Sequence, residues 1–185
     1  GWLTCASKLS SYAGYGPDLI YIPEHTFCLN EFLEDVKNIY SKKQKVLVAV
    51  SEGIRDEDGN YLLQKRLYNQ NDNFGHLQLG GVGVVLAEMV NKELGLPVRS
   101  VELNILQRSA AHILSKTDIT EAYNAGKYGI KIYLKGYTDK MVTISRTSNS
   151  PYRVKYTITP LASIANYVKP VPNSWINERG NNITD

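Results

Sequence analysis

The most conspicuous chemistry in this sequence is the run Gly75-His76-Leu77-Gln78-Leu79-Gly80-Gly81-Val82-Gly83. Glycines ahead of a helix can bring backbone N–H groups close to a phosphate. The run lacks the Lys-Ser/Thr ending of a phosphate-binding P-loop, and no clear strand precedes it. A tight loop entering a helix accounts for the glycines equally well. His76 has no Ser or Cys nucleophile assignable to it, so it reads as structural, as do His25 and His112. Glu52, Asp56, Glu57 and Asp58 crowd together as a metal site would, but a solvated acidic loop is the simpler reading. No triad, zinc-ligand spacing or hydrolase carboxylate pair stands out.

Composition narrows the classes further. The net charge is +3, and basic residues are scattered among acidic ones, with only Lys42, Lys43 and Lys45 clustered. Such a cluster serves a helix end better than a nucleic-acid backbone, so no nucleic-acid partner is expected. The longest apolar runs, Val46 to Val50 and Val82 to Leu86, fall far short of the roughly 18 residues that span a bilayer. Cys5 and Cys28 have neither metal-ligand spacing nor the density of a secreted scaffold, which reads as reduced thiols in a cytoplasmic protein. Gly1-Trp2-Leu3-Thr4 enters directly into an apolar pattern with no initiator Met, as if cut from something longer.

The elements that must position these residues alternate between helices and short apolar strands. That pattern predicts an α/β fold with a mostly parallel sheet. Trp2, Leu3, Ala6 and Leu9 recur at helical spacing until Gly14, Gly16 and Pro17. Asp18 to Ile22 reads as a strand stopped by Pro23. Leu29, Phe32, Leu33, Val36 and Ile39 form one helical stripe that Asn30 can cap. Val46 to Val50 is a continuous apolar run, the mark of a strand covered on both faces. Asp58-Gly59-Asn60 is a turn signal, with Tyr61-Leu62-Leu63 as one arm of a small hairpin. A helix is expected from Val82 to Leu94, closed by Gly95 and Pro97, and a strand from Val98 to Leu106. Asp118 and Glu121 resemble a capping box before a stripe that ends at Lys135 and Gly136. Met141 to Ile144 and Tyr152 to Ile158 read as strands, and the tail after Pro170 as irregular.

Taken in order, several of these segments resemble one family. Strand-Pro23-Glu24, strand-Ser51-Glu52-Gly53, Arg99, Gln107-Arg108 and the block from Asp118 through Gly136 to Met141-Val142-Thr143-Ile144 follow the order and spacing of the phosphofructokinases. Gly1-Trp2 looks like the residues just after that family's Met-Gly-Arg segment. The resemblance runs from Gly1 to about Asn182 and is most like the bacterial pyrophosphate-dependent kind. It implies a Rossmann-like, mostly parallel sheet flanked by helices, the carboxy-terminal portion of the phosphofructokinase fold.

Residue by residue, the resemblance implies a sugar-phosphate site. Glu24 matches the glutamate that hydrogen-bonds hydroxyls of fructose 6-phosphate, and an ionised carboxylate at a strand's carboxyl end can accept two O–H donors. Arg108, ending the tetrad Ile105-Leu106-Gln107-Arg108, matches the arginine at the substrate phosphate. Arg99 matches an arginine reaching the 6-phosphate across a subunit interface. Two planar guanidinium forks suit a phosphate dianion. Many relatives begin that tetrad with His or Tyr, where Ile105 stands here. Gly75-His76-Leu77-Gln78 resembles the family's Gly-His-Ile-Gln tetrad, but Leu79 occupies the arginine position, which makes His76 a decoy.

The resemblance also implies what is missing. The family's catalytic acid and donor loop lie in Gly-Gly-Asp and Thr-x-Asp segments, and neither occurs in this chain. No catalytic residue is therefore expected here, Mg2+ would be held by the missing amino-terminal part, and the fragment alone is expected to be inactive. The implied activity is phosphorylation of fructose 6-phosphate to fructose 1,6-bisphosphate in glycolysis, with pyrophosphate rather than ATP as donor. A homo-oligomer, dimer or tetramer, in the cytoplasm is implied, with neither nucleic acid nor membrane as partner. The expected division is a substrate-binding second domain over 1–107, a segment over 108–150 returning to the first domain, and an extension over 151–185. The competing reading is a non-catalytic sugar-phosphate-binding or regulatory α/β module. A nucleotide-binding Rossmann domain is weaker, because its Gly-x-Gly-x-x-Gly after a first strand is not found.

Overall fold

The structure, a computed structural model, describes residues 1–62 and 81–184, with the side chains of Gln107 and Arg108 excepted. The decoy His76 and the glycine run up to Gly80 lie outside the described residues. The chain forms two compact units, Gly1–Glu102 with Lys169–Asp185, and Leu103–Val168.

In the first unit, helix α1 (Trp2–Ala6) continues as a 3-10 segment over Ser7–Ala13, and Gly14 ends it in the left-handed region at φ +80°. Strand β1 (Leu19–Tyr21) pairs in parallel with β2 (Val48–Val50), Leu19 opposite Val48 and Tyr21 opposite Val50. Parallel strands need a long crossover, and helix α2 (Leu29–Lys43) lies on it. Its buried stripe is Phe32 and Val36, as the spacing predicted. The cap differs. Cys28 is the N-cap and its carbonyl accepts the Phe32 N–H at 3.0 Å, so Asn30 sits inside the first turn and caps nothing. Lys42 and Lys43 fall in the last turn, where cations offset the helix dipole.

The strand covered on both faces is β1 rather than β2. Leu19 and Tyr21 pack with Phe27, Phe32, Val36, Val85 and Leu86. Ile20 and Ile22 point the other way, onto Cys5, Val171 and Ile183. Burying each such side chain contributes about 1.5–3 kcal/mol relative to leaving it exposed. Residues of β2 are only half-buried, and Leu47 before it is largely exposed. The physical reason is the return of the chain: the Ile20 N–H donates to Asn181 O at 2.8 Å, so β1 has neighbours on both edges.

The turn at Asp58-Gly59-Asn60 forms as expected. Asp56 Oδ1 accepts the N–H groups of Asp58 and Asn60, Gly59 takes φ +77°, and Arg55 bridges to Tyr61. Helix α3 (Val82–Leu94) ends at left-handed Gly95, also as expected. Its start is closed by a distant side chain, since Glu52 Oε2 accepts the Val82 N–H at 3.2 Å. The strand expected over Val98 to Leu106 is absent. Residues 98–103 are irregular and Asn104–Ser109 form the short helix α4. Val98, Val101 and Leu103 are exposed, and no described strand pairs with their backbone. A strand without a ladder partner leaves its N–H and C=O groups to water, which removes the reason to extend.

The second unit is a helix on a hairpin. Helix α5 (Lys116–Tyr133) accompanies β3 (Lys140–Asn149) and β4 (Tyr152–Pro160), which pair antiparallel with a bulge between Arg146 and Ser148. Gly129 lies against Val142, and the Tyr128 and Tyr156 rings sit 6.2 Å apart. The cap is Ser115, whose Oγ accepts the Asp118 N–H at 3.3 Å. Glu121 instead accepts the Tyr152 hydroxyl at 2.5 Å, so the cap lies three residues earlier than the sequence suggested. The chain is thus α/β, with one parallel and one antiparallel pairing among the described residues. No helix of these residues is long and apolar enough to cross a membrane.

Candidate functional site

Strand β1 runs out through Ile22, which is almost fully buried, and Pro23 cannot continue a ladder. The His25 N–H returns to Ile22 O at 3.3 Å, and this turn carries Glu24 at the strand's carboxyl end. The loop after the parallel neighbour β2 arrives at the same end. A Cβ added at Gly53 would lie 3.2 Å from Pro23 Cγ, so the Ser51-Glu52-Gly53 loop packs closely on the Glu24 turn. Carboxyl ends of parallel strands are where open α/β sheets bind ligands. Of the two acids in these loops, Glu52 is committed to the start of α3. Glu24 is the one with a buried oxygen that has no hydrogen-bond partner.

Its carboxylate is held asymmetrically. Oε1 accepts the backbone N–H of Val171 at 3.0 Å. Oε2 is buried and has no hydrogen-bond partner. A buried carboxylate oxygen without a donor is costly, so it marks a place for one. One of the two oxygens expected to accept sugar hydroxyls is thus already engaged by the backbone. Gly1 packs directly on this carboxylate, and a Cβ there would collide with both oxygens. The Cys5 thiol lies near it as well. Burial, and then the Glu24 charge, push that thiol above its ordinary value and keep it protonated.

Arg99 lies on the irregular segment after α3 and is exposed. No carboxylate among the described residues pairs with it. Its segment is held near the first turn of α3, where a Cβ at Gly83 would lie 2.7 Å from Ser100 Oγ. Glu24 and Arg99 therefore belong to the first unit. Ile105, Leu106, Gln107 and Arg108 all lie on α4 in the second unit, with Ile105 and Leu106 exposed.

The other chemistry-bearing residues have local roles. His25 Nδ1 lies 2.9 Å from Thr26 O, and its ring packs so closely on Gly180 that a Cβ there would collide with it. His112 is exposed in a single 3-10 turn. Arg55 stacks on Tyr61, 4.2 Å from the ring centre, and tightens the acidic turn. Among the described residues no group of three or more His, Cys, Asp or Glu could hold a metal ion.

Sequence reasoning missed the groups that bring residues 169–184 to this end of the sheet. Asp35, on α2 between buried Phe32 and Val36, accepts from the Tyr21 hydroxyl at 3.1 Å, Arg179 Nε at 2.7 Å and Asn181 Nδ2 at 2.7 Å. Burial first, and then the Asp35 charge, push the Tyr21 phenol well above its ordinary range. The available signal was a carboxylate inside an apolar helical stripe, which demands partners.

The family described as "Phosphofructokinase" matches residues 1–130. The chain is 39% identical over its whole length to the pyrophosphate–fructose 6-phosphate 1-phosphotransferase of Xanthomonas campestris pv. campestris, and 38% identical to that of Methylococcus capsulatus. A sulfofructose kinase of Alkalicoccus urumqiensis is 32% identical over 97% of the chain. Among solved structures, a pyrophosphate-dependent phosphofructokinase from Nitrosospira multiformis superposes with a TM-score of 0.77 at 34% identity, covering 100% of this chain and 42% of that one. The chain spans 44% of the length of the first two relatives.

Proposed function

The chain belongs to the phosphofructokinase family, and from that premise we propose that it supplies the acceptor-sugar part of an enzyme that moves a phosphoryl group from pyrophosphate to fructose 6-phosphate. The observation that carries the reading is the Glu24 carboxylate at the carboxyl end of β1, with Oε2 buried and lacking a donor. A sugar hydroxyl is a donor of the right kind, and a carboxylate can accept it while ionised.

In this reading Glu24 orients the sugar ring, Arg108 contacts the substrate phosphate region, and Arg99 reaches the 6-phosphate of a neighbouring subunit's sugar. Lys and Arg clearly outnumber Asp and Glu in the unit that carries Arg108, which favours a dianion. Ile105, where many relatives place His or Tyr, gives an apolar contact in place of a polar one; Leu106 and Gln107 complete the tetrad. Holding the acceptor in place removes translational and rotational freedom from the transfer step, and this is the chain's share of catalysis. In-line transfer also needs a base at the 1-hydroxyl and charge neutralisation at the moving phosphoryl group. The family resemblance assigns those parts, with the Mg2+ ligands, to sequence outside this chain, and in this reading the chain alone is inactive. The division into a substrate domain over 1–107, a return over 108–150 and an extension over 151–185 is proposed for the longer protein, as are its homo-oligomeric state and a cytoplasmic, glycolytic setting.

Calorimetric titration with fructose 6-phosphate tests the reading. Binding is expected at millimolar strength, and Glu24→Ala and Arg108→Ala should each weaken it about tenfold, the scale of one charge-assisted hydrogen bond. Mixing the chain with the preceding half should restore phosphorylation with pyrophosphate as donor. A mixture that forms a complex yet phosphorylates nothing, with either pyrophosphate or ATP, would sink the kinase assignment.

A further inference from the structure

Residues 169–184 have little regular structure, yet they are fastened to the first unit at many points. At one end the Trp2 indole donates to Lys169 O at 2.6 Å and meets the Trp175 ring edge-on at 5.8 Å. In the middle the Val171 N–H engages Glu24 Oε1, with the Val171 side chain almost fully buried. At the other end Arg179 donates to Glu34 at 2.8 Å and to Asp35 at 2.7 Å. Asn181 adds bonds to Asp35 and to Ile20. The turn between them is built for this path. Asn177 Oδ1 accepts the N–H groups of Asn181 and Asn182, and Gly180, at φ +68°, leaves room for the His25 ring next to Glu24.

We propose that this strap is the positioning element of the sugar-binding carboxylate: the Val171 N–H holds Glu24 Oε1 and leaves Oε2 as the oxygen without a donor, and Arg179 latches the strap to α2. The inference rests on the sugar-site reading above. It has a specific physical content. A free glutamate samples several rotamers and must be ordered at the moment of binding, whereas a carboxylate already held on one oxygen is pre-organised. The fixed donor also makes the sugar contact one-sided, through Oε2, instead of a symmetric clamp. Arg179 acts through the strap and touches no sugar atom, so it is a positioning residue.

The test combines two readouts on wild type, Arg179→Ala, Arg179→Lys, Glu24→Gln and the Arg179→Ala/Glu24→Gln pair. Calorimetry follows fructose 6-phosphate and, as a second probe, inorganic phosphate; NMR follows hydrogen exchange of the Val171 amide. Arg179→Ala should speed that exchange and weaken fructose 6-phosphate about fivefold, the scale of one hydrogen bond, while phosphate alone is unchanged. Arg179→Lys should recover part of the loss. In the Glu24→Gln background the Arg179→Ala change should cost nothing further, because coupled residues are not additive. Unchanged sugar-phosphate binding in Arg179→Ala despite faster exchange overturns the inference and leaves the sugar site standing. So does an equal loss for inorganic phosphate, which would mark a merely structural defect. No binding in wild type, with Glu24→Gln equally silent, removes the sugar site itself and the positioning role with it.

Discussion

The two units solve the problem of burial in opposite ways. In the first, Ile20, Ile22, Ile54, Val82 and Val171 are almost completely enclosed. In the second, Ile132 is the one buried apolar side chain among the described residues, while Tyr123, Ile130 and Tyr133 on α5, and Leu134 just after it, are well exposed. Both sequences carry strong apolar periodicity. The difference is the number of layers. Strand β1 is packed on both faces and paired on both edges, whereas α5 has a single hairpin to lean on. Periodicity therefore announces an amphipathic element without saying how much of its apolar face is covered.

The largest expected effect separates the units directly. Ile20→Ala should lower the stability of the first unit by about 3 kcal/mol, the usual cost of emptying a closed core position. Urea unfolding followed by amide NMR reports each unit separately, and a loss shared equally by residues of α5 would break the comparison. Next comes the polar network of the first unit. Asp35→Ala leaves the Tyr21 hydroxyl and Arg179 without their buried acceptor, and should cost about 2 kcal/mol. Circular-dichroism melting checks this, and a neutral result would mean that the network contributes no net stability.

The same network sets an alkaline limit. Tyr21 has its ionisation raised above the ordinary value of 10.0, chiefly by burial and then by the Asp35 charge. Its stabilising contribution is complete below pH 10.0 and is lost as the pH rises further, because the unfolded chain releases the phenolic proton first. The urea midpoint of the first unit should therefore fall above pH 10.0, more steeply than in Tyr21→Phe. An identical pH dependence in the two proteins would remove Tyr21 as the cause. In the second unit, Ser115→Ala should cost about 1 kcal/mol through the lost cap of α5, read as faster exchange in the first turn of that helix. The smallest effect is expected at Ile130, 63% exposed, where alanine should change stability by less than about 0.5 kcal/mol. A large loss there in the 185-residue chain would show that α5 is more tightly covered than its exposure implies.

Much of the frame was legible from residue order. The bounds of α3 follow from its apolar run and from Gly95, because a left-handed terminus is affordable for glycine and for few others. The turn at Gly59 and the strand before Pro23 were legible for similar local reasons. The misreadings share a cause. Val98 to Leu106 has β-branched and aliphatic residues but no neighbour to pair with, and Val46 to Val50 looks doubly covered although β2 is only half-buried. Cap positions slipped at Asn30 and at Asp118, since several residues near each helix start could accept an N–H and only the local backbone selects one. Within the candidate site, Glu24 was singled out by the resemblance of Ile22-Pro23-Glu24 to a family motif. Its partner Val171 was not, because a backbone N–H lying 147 residues further along has no side-chain signature.

By itself, then, the sequence determined the helices with strong stripes and punctuated ends, the strand–Pro–Glu turn, and a family membership carried by ordered motifs. These are properties of short segments, set by backbone sterics and local periodicity. Tertiary structure alone decided which strand is enclosed, which acid caps α3 and which stays available, and how an irregular strap comes to grip Glu24. Each of those outcomes depends on contacts between segments distant in the chain, where the gain from burial and from satisfied hydrogen bonds overrides what any one segment prefers.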